Sequence, residues 1–107
     1  MDSFNDRKRA QEARFAHDAD LRFKAEARRA KLVGLWAASK MGLSGDEASS
    51  YASELVAADF EEAGDADLAR KLRRDFDARG VGVTDQEIRT ELDQQLVVAS
   101  EQIAGEG

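Results

Sequence analysis

Between Phe4 and Trp36 the chain has no proline and no glycine before Gly34, and Ala, Arg, Lys, Glu and Leu dominate it. These residues lose little side-chain freedom in a helix and do not compete for its backbone hydrogen bonds, so the stretch is read as helical. At about 100° per residue its large apolar groups fall on two separate stripes. Phe4, Phe15, Ala19 and Phe23 lie together, and Leu21, Leu32, Leu35 and Trp36 lie roughly opposite. A single core is expected to use only one face. The C-terminal part then docks on the body through its Leu and Trp residues, and the Phe stripe is held out for a partner.

Gly42 is placed as the glycine just past a helix end, so the first packed helix should stop near Met41. Ser44-Gly45-Asp46-Glu47 has capping-box spacing and opens a second helix. Its inner face reads Ala48, Tyr51, Ala52, Leu55, Val56, Phe60 and Ala63, and Gly64 closes it. Asp65 is expected as the N-cap of a third helix, with Leu68, Leu72 and Phe76 as a narrow inward stripe. Asp67 near its start and Arg73, Arg74 and Arg79 toward its end follow the helix dipole. Val81 and Val83 can plug the end of the core, and Thr84 with Glu87 repeats the capping box to open a fourth helix. Ile88, Leu92, Leu96, Ala99 and Ile103 form its inner face.

Four helices with connections of a few residues favour antiparallel neighbours. The expected fold class is all-α: a small four-helix bundle with a flexible or partly helical N-terminal arm. The arm is residues 1–20, where big side chains are few and an isolated helix is marginal in water. The body is residues 21–104, and 105–107 are a frayed tail. Leu35, Trp36, Tyr51, Leu55, Phe60, Leu72, Phe76, Leu92 and Leu96 are the expected core.

The net charge of −6 over 107 residues conceals an asymmetry. Residues 1–31 carry nine Lys and Arg against six Asp and Glu, or +3, whereas residues 32–107 carry seven against sixteen, or −9. A basic arm sits on an acidic body. The absence of cysteine removes disulfides, thiolate metal sites and a cysteine nucleophile. No apolar run is long enough to span a membrane and no secretory signal opens the chain, so direct membrane insertion is not expected and a cytoplasmic location is.

The residues that invite a chemical reading are weak on spacing. His17 is the only histidine and has no second strong ligand at helical spacing, so it reads as exposed or partner-contacting. Asp59, Glu61, Glu62, Asp65 and Asp67 cross a helix end and lack the alternation of a calcium loop. Arg22, Lys24, Arg28, Arg29 and Lys31 are interrupted by Asp20 and Glu26, and the protein is acidic overall, so nucleic acid is not the expected partner. No phosphate-binding glycine loop or nucleophile motif is present. No cofactor, no metal and no enzyme activity are expected. These residues alone stop at a helical interaction protein, with a nucleotide- or small-molecule-sensing module and a generic adaptor as alternatives.

A resemblance narrows this. Phe4, Asp6-Arg7, Glu12-Ala13, Phe15-Ala16-His17-Asp18, Leu21, Phe23-Lys24, Ala27-Arg28-Arg29, Leu32, Gly34 and Trp36-Ala37, followed by Gly45-Asp46-Glu47-Ala48 and the run Asp59-Phe60-Glu61-Glu62-Ala63-Gly64-Asp65, resemble the zeta subunit of alphaproteobacterial F-type ATP synthase. Lys8 and Ala30 depart from that pattern. The resemblance implies a four-helix inhibitor whose N-terminal segment becomes helical inside the catalytic head and blocks ATP hydrolysis. The implied partner is that head, with its alpha, beta and gamma subunits, at the cytoplasmic face of the inner membrane. The free protein is expected to be a monomer. The residues expected to bind are Phe4, Asp6, Arg7, Arg9, Glu12, Arg14, Phe15, His17, Asp18 and Phe23.

Overall fold

The computed structural model describes residues 19–61 and 64–106. They form four helices: α1 (Ala19–Lys40), α2 (Gly45–Glu61), α3 (Asp65–Ala78) and α4 (Asp85–Glu106). α1 is the spine. It packs against α2 on one side and α4 on another, while α3 makes smaller contacts with α2 and α4. One helix therefore does use two faces, contrary to the single docking stripe expected from the sequence.

Small residues make this possible. Ala25, Ala30, Val33, Ala37 and Ala38 of α1 are buried. A Cβ added to Gly34 would lie 2.7 Å from the Cα of Ala52, so α1 and α2 approach closely enough to exclude any side chain there. Leu35, expected in the core, is instead 37% exposed, and Trp36 and Leu32 are half-buried. Leu35 lies about 200° round the helix from Val33, so a face chosen to bury Val33 turns Leu35 outward.

The main core joins Val33, Ala37 and Ala38 to Tyr51 and Leu55 of α2, Leu68, Leu72 and Phe76 of α3, Val83 of the connection, and Ile88 and Leu92 of α4. The ring of Trp36 meets Phe76 edge to face, with centroids 5.7 Å apart and planes at 84°. Both Val81 and Val83 close this end of the core, as expected. Leu96 is only half-buried, while Ala99 and Ile103 of the same face are buried.

The helix ends show where local chemistry decides. Gly42 and Gly80 each take positive φ, 77° and 68°. Each is followed by a pair of hydrogen bonds that satisfies the last carbonyls: Leu43 N–H to Ala38 O and Gly42 N–H to Ser39 O after α1, and Val81 N–H to Phe76 O and Gly80 N–H to Asp77 O after α3. Only glycine adopts that conformation at little cost. At the start of α4, Thr84 and Glu87 close the expected box. The Glu87 N–H donates to Thr84 Oγ1 at 3.1 Å, and the Thr84 N–H donates to the Glu87 carboxylate at 3.3 Å.

Two expected caps are corrected. Ser44 and Glu47 make no reciprocal hydrogen bond among the described residues, and Gly45, the first residue of α2, has φ 57°. Gly64, not Asp65, is the N-cap of α3, and no side chain caps it. Asp65 is the first helical residue, free to turn its carboxylate toward α1.

Polar side chains tie the helices together. The hydroxyl of Tyr51 donates to Asp75 Oδ2 at 2.7 Å. Lys71 Nζ donates to the same oxygen at 2.9 Å and to Glu54 at 3.0 Å, and it lies 5.5 Å from the centre of the Tyr51 ring. Arg73 bridges Asp77 within α3 to Asp85 in the first turn of α4. Arg28 of α1 pairs with Glu106 at the end of α4.

Candidate functional site

Of the ten residues the sequence nominates for binding, the structure describes only Phe23. Phe4, Asp6, Arg7, Arg9, Glu12, Arg14, Phe15, His17 and Asp18 lie outside the described residues. Phe23 sits just over one turn into α1 and is 53% exposed, as the outward Phe stripe requires. It has a companion that the sequence reading placed in the core. Phe60, in the last turn of α2, is 57% exposed, and its ring lies 4.9 Å from that of Phe23, tilted by 56°.

Helical geometry explains the correction. Phe60 is about 180° round the helix from Tyr51, whose face α2 buries, so the apolar spacing that included Phe60 drifted off the inner stripe by the end of the helix. Wheel arithmetic from Tyr51 alone would have placed it outside. Phe23 and Phe60 together form a patch of exposed aromatic surface at the end of the body where residues 1–18 join it.

Charged groups surround the two rings, and Glu26 among them lies 3.9 Å from the exposed Arg22 guanidinium. Phe23, Glu26, Ala27, Asp59 and Phe60 line a shallow pocket between α1 and α2. Near Asp59 lies Arg29, only 3% exposed. Its Nη2 meets Asp65 at 2.9 Å, and its buried Nε has no hydrogen-bond partner. The buried guanidinium therefore has an incomplete set of acceptors, which is costly in a low-dielectric setting. Burial raises the Asp59 carboxyl above its ordinary value near 3.8; Arg29 draws it back, and Glu26 and Asp65 push it up again.

What this arrangement can do chemically is bind. Among the described residues no group of three or more His, Asp or Glu is placed to hold a metal ion. No described helix is long and apolar enough to cross a membrane. An all-α body with two exposed aromatic rings on one surface has the form of a helical module suited to a protein partner.

The particular family is shown by comparison. Residues 1–102 match the ATPase inhibitor subunit zeta family, and the chain belongs to it. A structure solved by solution NMR is 47% identical to this chain, covering 81% of it and 99% of its own length, with a TM-score of 0.70. Among curated proteins none matches. Membership gives the chain an ATPase inhibitor role, regulatory in kind.

Proposed function

We propose that the protein inhibits the hydrolytic direction of an F-type ATP synthase by inserting its N-terminal segment as a helix into a catalytic subunit interface. The observation that carries this reading is the reach of the family match, which begins at residue 1 and so takes in the whole arm along with the body. Residues 4–23 as a helix would be about 30 Å long, enough to enter a cleft between subunits. In this reading the partner is the catalytic head, with its alpha, beta and gamma subunits. Phe4, Phe15 and Phe23 are apolar anchors on one stripe, Arg7, Arg9 and Arg14 with Asp6, Glu12 and Asp18 are charge partners, and His17 is a contact. Wedging an interface that must open and close during turnover stops rotation without any bond chemistry by the inhibitor.

Ordering an arm on binding costs free energy, so affinity concentrates in few anchors. Phe15 is the central one. The test is a dose series against ATP hydrolysis by the cognate enzyme, run beside thermal melts of the same samples. Phe15→Ala should weaken inhibition by about 2 kcal/mol, roughly thirtyfold in the half-maximal concentration, with its melt unchanged. Deleting residues 2–16 should abolish inhibition. An arm-deleted protein that inhibits like wild type would move the inhibitory surface to the body and overturn the reading.

A further inference from the structure

The pocket between Phe23 and Phe60 combines two features that both favour a cation. Two exposed aromatic rings stand at its rim, and two carboxylates, Glu26 and Asp59, line it with Ala27. Aromatic faces attract cations through the ring quadrupole, and carboxylates do so by charge and hydrogen bonding. An anion is disfavoured because both carboxylates would oppose it. Among the described residues two cations are near: Arg22, whose exposed guanidinium makes a long, solvent-screened pair with Glu26 at 3.9 Å, and Arg29, which is buried and turned to Asp65. Burial holds the Asp59 carboxyl above its ordinary value even though Arg29 draws it down. The chemistry fits a guanidinium or ammonium side chain.

The chain carries a source of such groups within reach. Arg7-Lys8-Arg9 is its densest basic run, and it lies ten to twelve residues before Ala19, where α1 begins. That length of extended chain spans up to about 40 Å, more than the short axes of the molecule at 25 and 24 Å. A tethered run competes at an effective concentration of the order of millimolar, far above any free basic peptide.

We propose that the Phe23–Phe60 pocket binds the chain's own Arg7-Lys8-Arg9 run, holding the arm against the body until the ATPase displaces it. The release half of this proposal rests on the inhibitory reading above; the docking half does not. Arg7 and Arg9 cannot satisfy the pocket and a subunit cleft together, so docking and inhibition exclude one another. Opening the pocket should therefore strengthen inhibition, the opposite of what loss of an interface residue does. If the arm is docked about two thirds of the time, the competent fraction is one third, and releasing it lowers the half-maximal concentration about threefold.

The full chain lacks cysteine, so Ser3→Cys provides one attachment point for a nitroxide label. Relaxation enhancement read at backbone amides should broaden Glu26, Ala27, Asp59 and Phe60 while sparing Gly80, Gly82 and Thr84. The broadening should fall to the level of those spared sites in a chain carrying Arg7→Ala, Lys8→Ala and Arg9→Ala together. It should fall likewise with Phe60→Ala and with Asp59→Asn, the second of which removes charge with no loss of volume. Absence of broadening at the pocket, or its persistence in the triple variant, overturns the proposal. So does broadening of an unlabelled, isotope-enriched chain by a labelled one, which would make the occupant a second copy. Against ATP hydrolysis, Phe60→Ala and Asp59→Asn should inhibit at about one third of the wild-type concentration. A need for more protein instead would make the pocket an ATPase contact and overturn the release half. Wild-type protein that shows pocket broadening but never inhibits hydrolysis would sink the proposed function and leave the docking intact.

Discussion

Arg29 illustrates how a single residue can be misread from sequence and yet govern a site. Within a run of positive charge it looks like surface, but its guanidinium is buried with one ion pair and one unpartnered nitrogen. Desolvating a cation is costly, and replacing a buried charge by an apolar group of similar length is often close to neutral. Arg29→Met should therefore change stability by no more than about 1 kcal/mol. Removing the partner is worse, because the buried charge then remains without it. Asp65→Ala should cost about 2 kcal/mol, although Asp65 itself is mostly exposed. Urea melts of the two variants give the order, and an Arg29→Met protein less stable than Asp65→Ala would contradict it.

A second residue sets the alkaline limit. Burial lifts the Tyr51 phenol far above its ordinary value of 10.0, and its hydrogen bond to Asp75 lifts it further. For Lys71, burial works downward, but hydrogen bonds to Asp75 and Glu54 outweigh it and raise the ammonium. Both groups hold their proton more tightly in the folded chain. Above pH 10 the unfolded chain loses protons that the folded chain keeps, so the linked stability is full below that pH and falls as pH rises. Thermal melts should drop steeply above about pH 10. Tyr51→Phe should flatten that decline while lowering stability at neutral pH through loss of the Asp75 hydrogen bond.

Between elements, the decisive contact is between α1 and α2 at Gly34. Alanine is ordinarily favoured over glycine in a helix by about 1 kcal/mol. At Gly34 the added Cβ would sit 2.7 Å from the Ala52 backbone, and backbone cannot rotate aside as a side chain can. Gly34→Ala should destabilise by about 1–3 kcal/mol. Gly105→Ala, where nothing lies within 4 Å, is the control and should be neutral or slightly stabilising. Paired melts of the two variants check this; equal effects would mean that α1 and α2 are not locked together.

Legibility at this scale followed the kind of force involved. The helix stop at Gly42 and the helix start at Thr84 were readable, because each depends on a few neighbouring residues. The Leu68, Leu72 and Phe76 stripe was readable because α3 buries a single face. What could not be read was the inner face of α1. A helix packed on two sides by small residues shows no strong apolar stripe, so its large residues, Leu35 among them, mislead. Phe60 failed for a different reason: its spacing was followed past the point where α2 has a core to face, and with it went the half of the pocket that α2 supplies.

At the scale of the molecule, every main core residue lies at Val33 or later, and α1 before it contributes only Ala25, Arg29 and Ala30 to the interior. The expected separation into an arm and an independently folding body is carried forward as a proposal on that ground. Deleting residues 2–16 should leave the melting temperature nearly unchanged. A truncated chain found unfolded by circular dichroism at room temperature would show that the arm belongs to the body.

The lone tryptophan gives these tests an optical axis. Trp36 lies against Phe76, some thirteen residues along α1 from Phe23 and so about 20 Å away. Its emission should shift when the helices come apart and stay silent when only the far end of α1 changes occupant. A fluorophore placed near Phe60 would have the converse blindness. The molecule thus carries, at opposite ends of one rod, separate windows on whether it is intact and whether it is engaged, and a ligand that altered both signals at once would have to act through the rod itself.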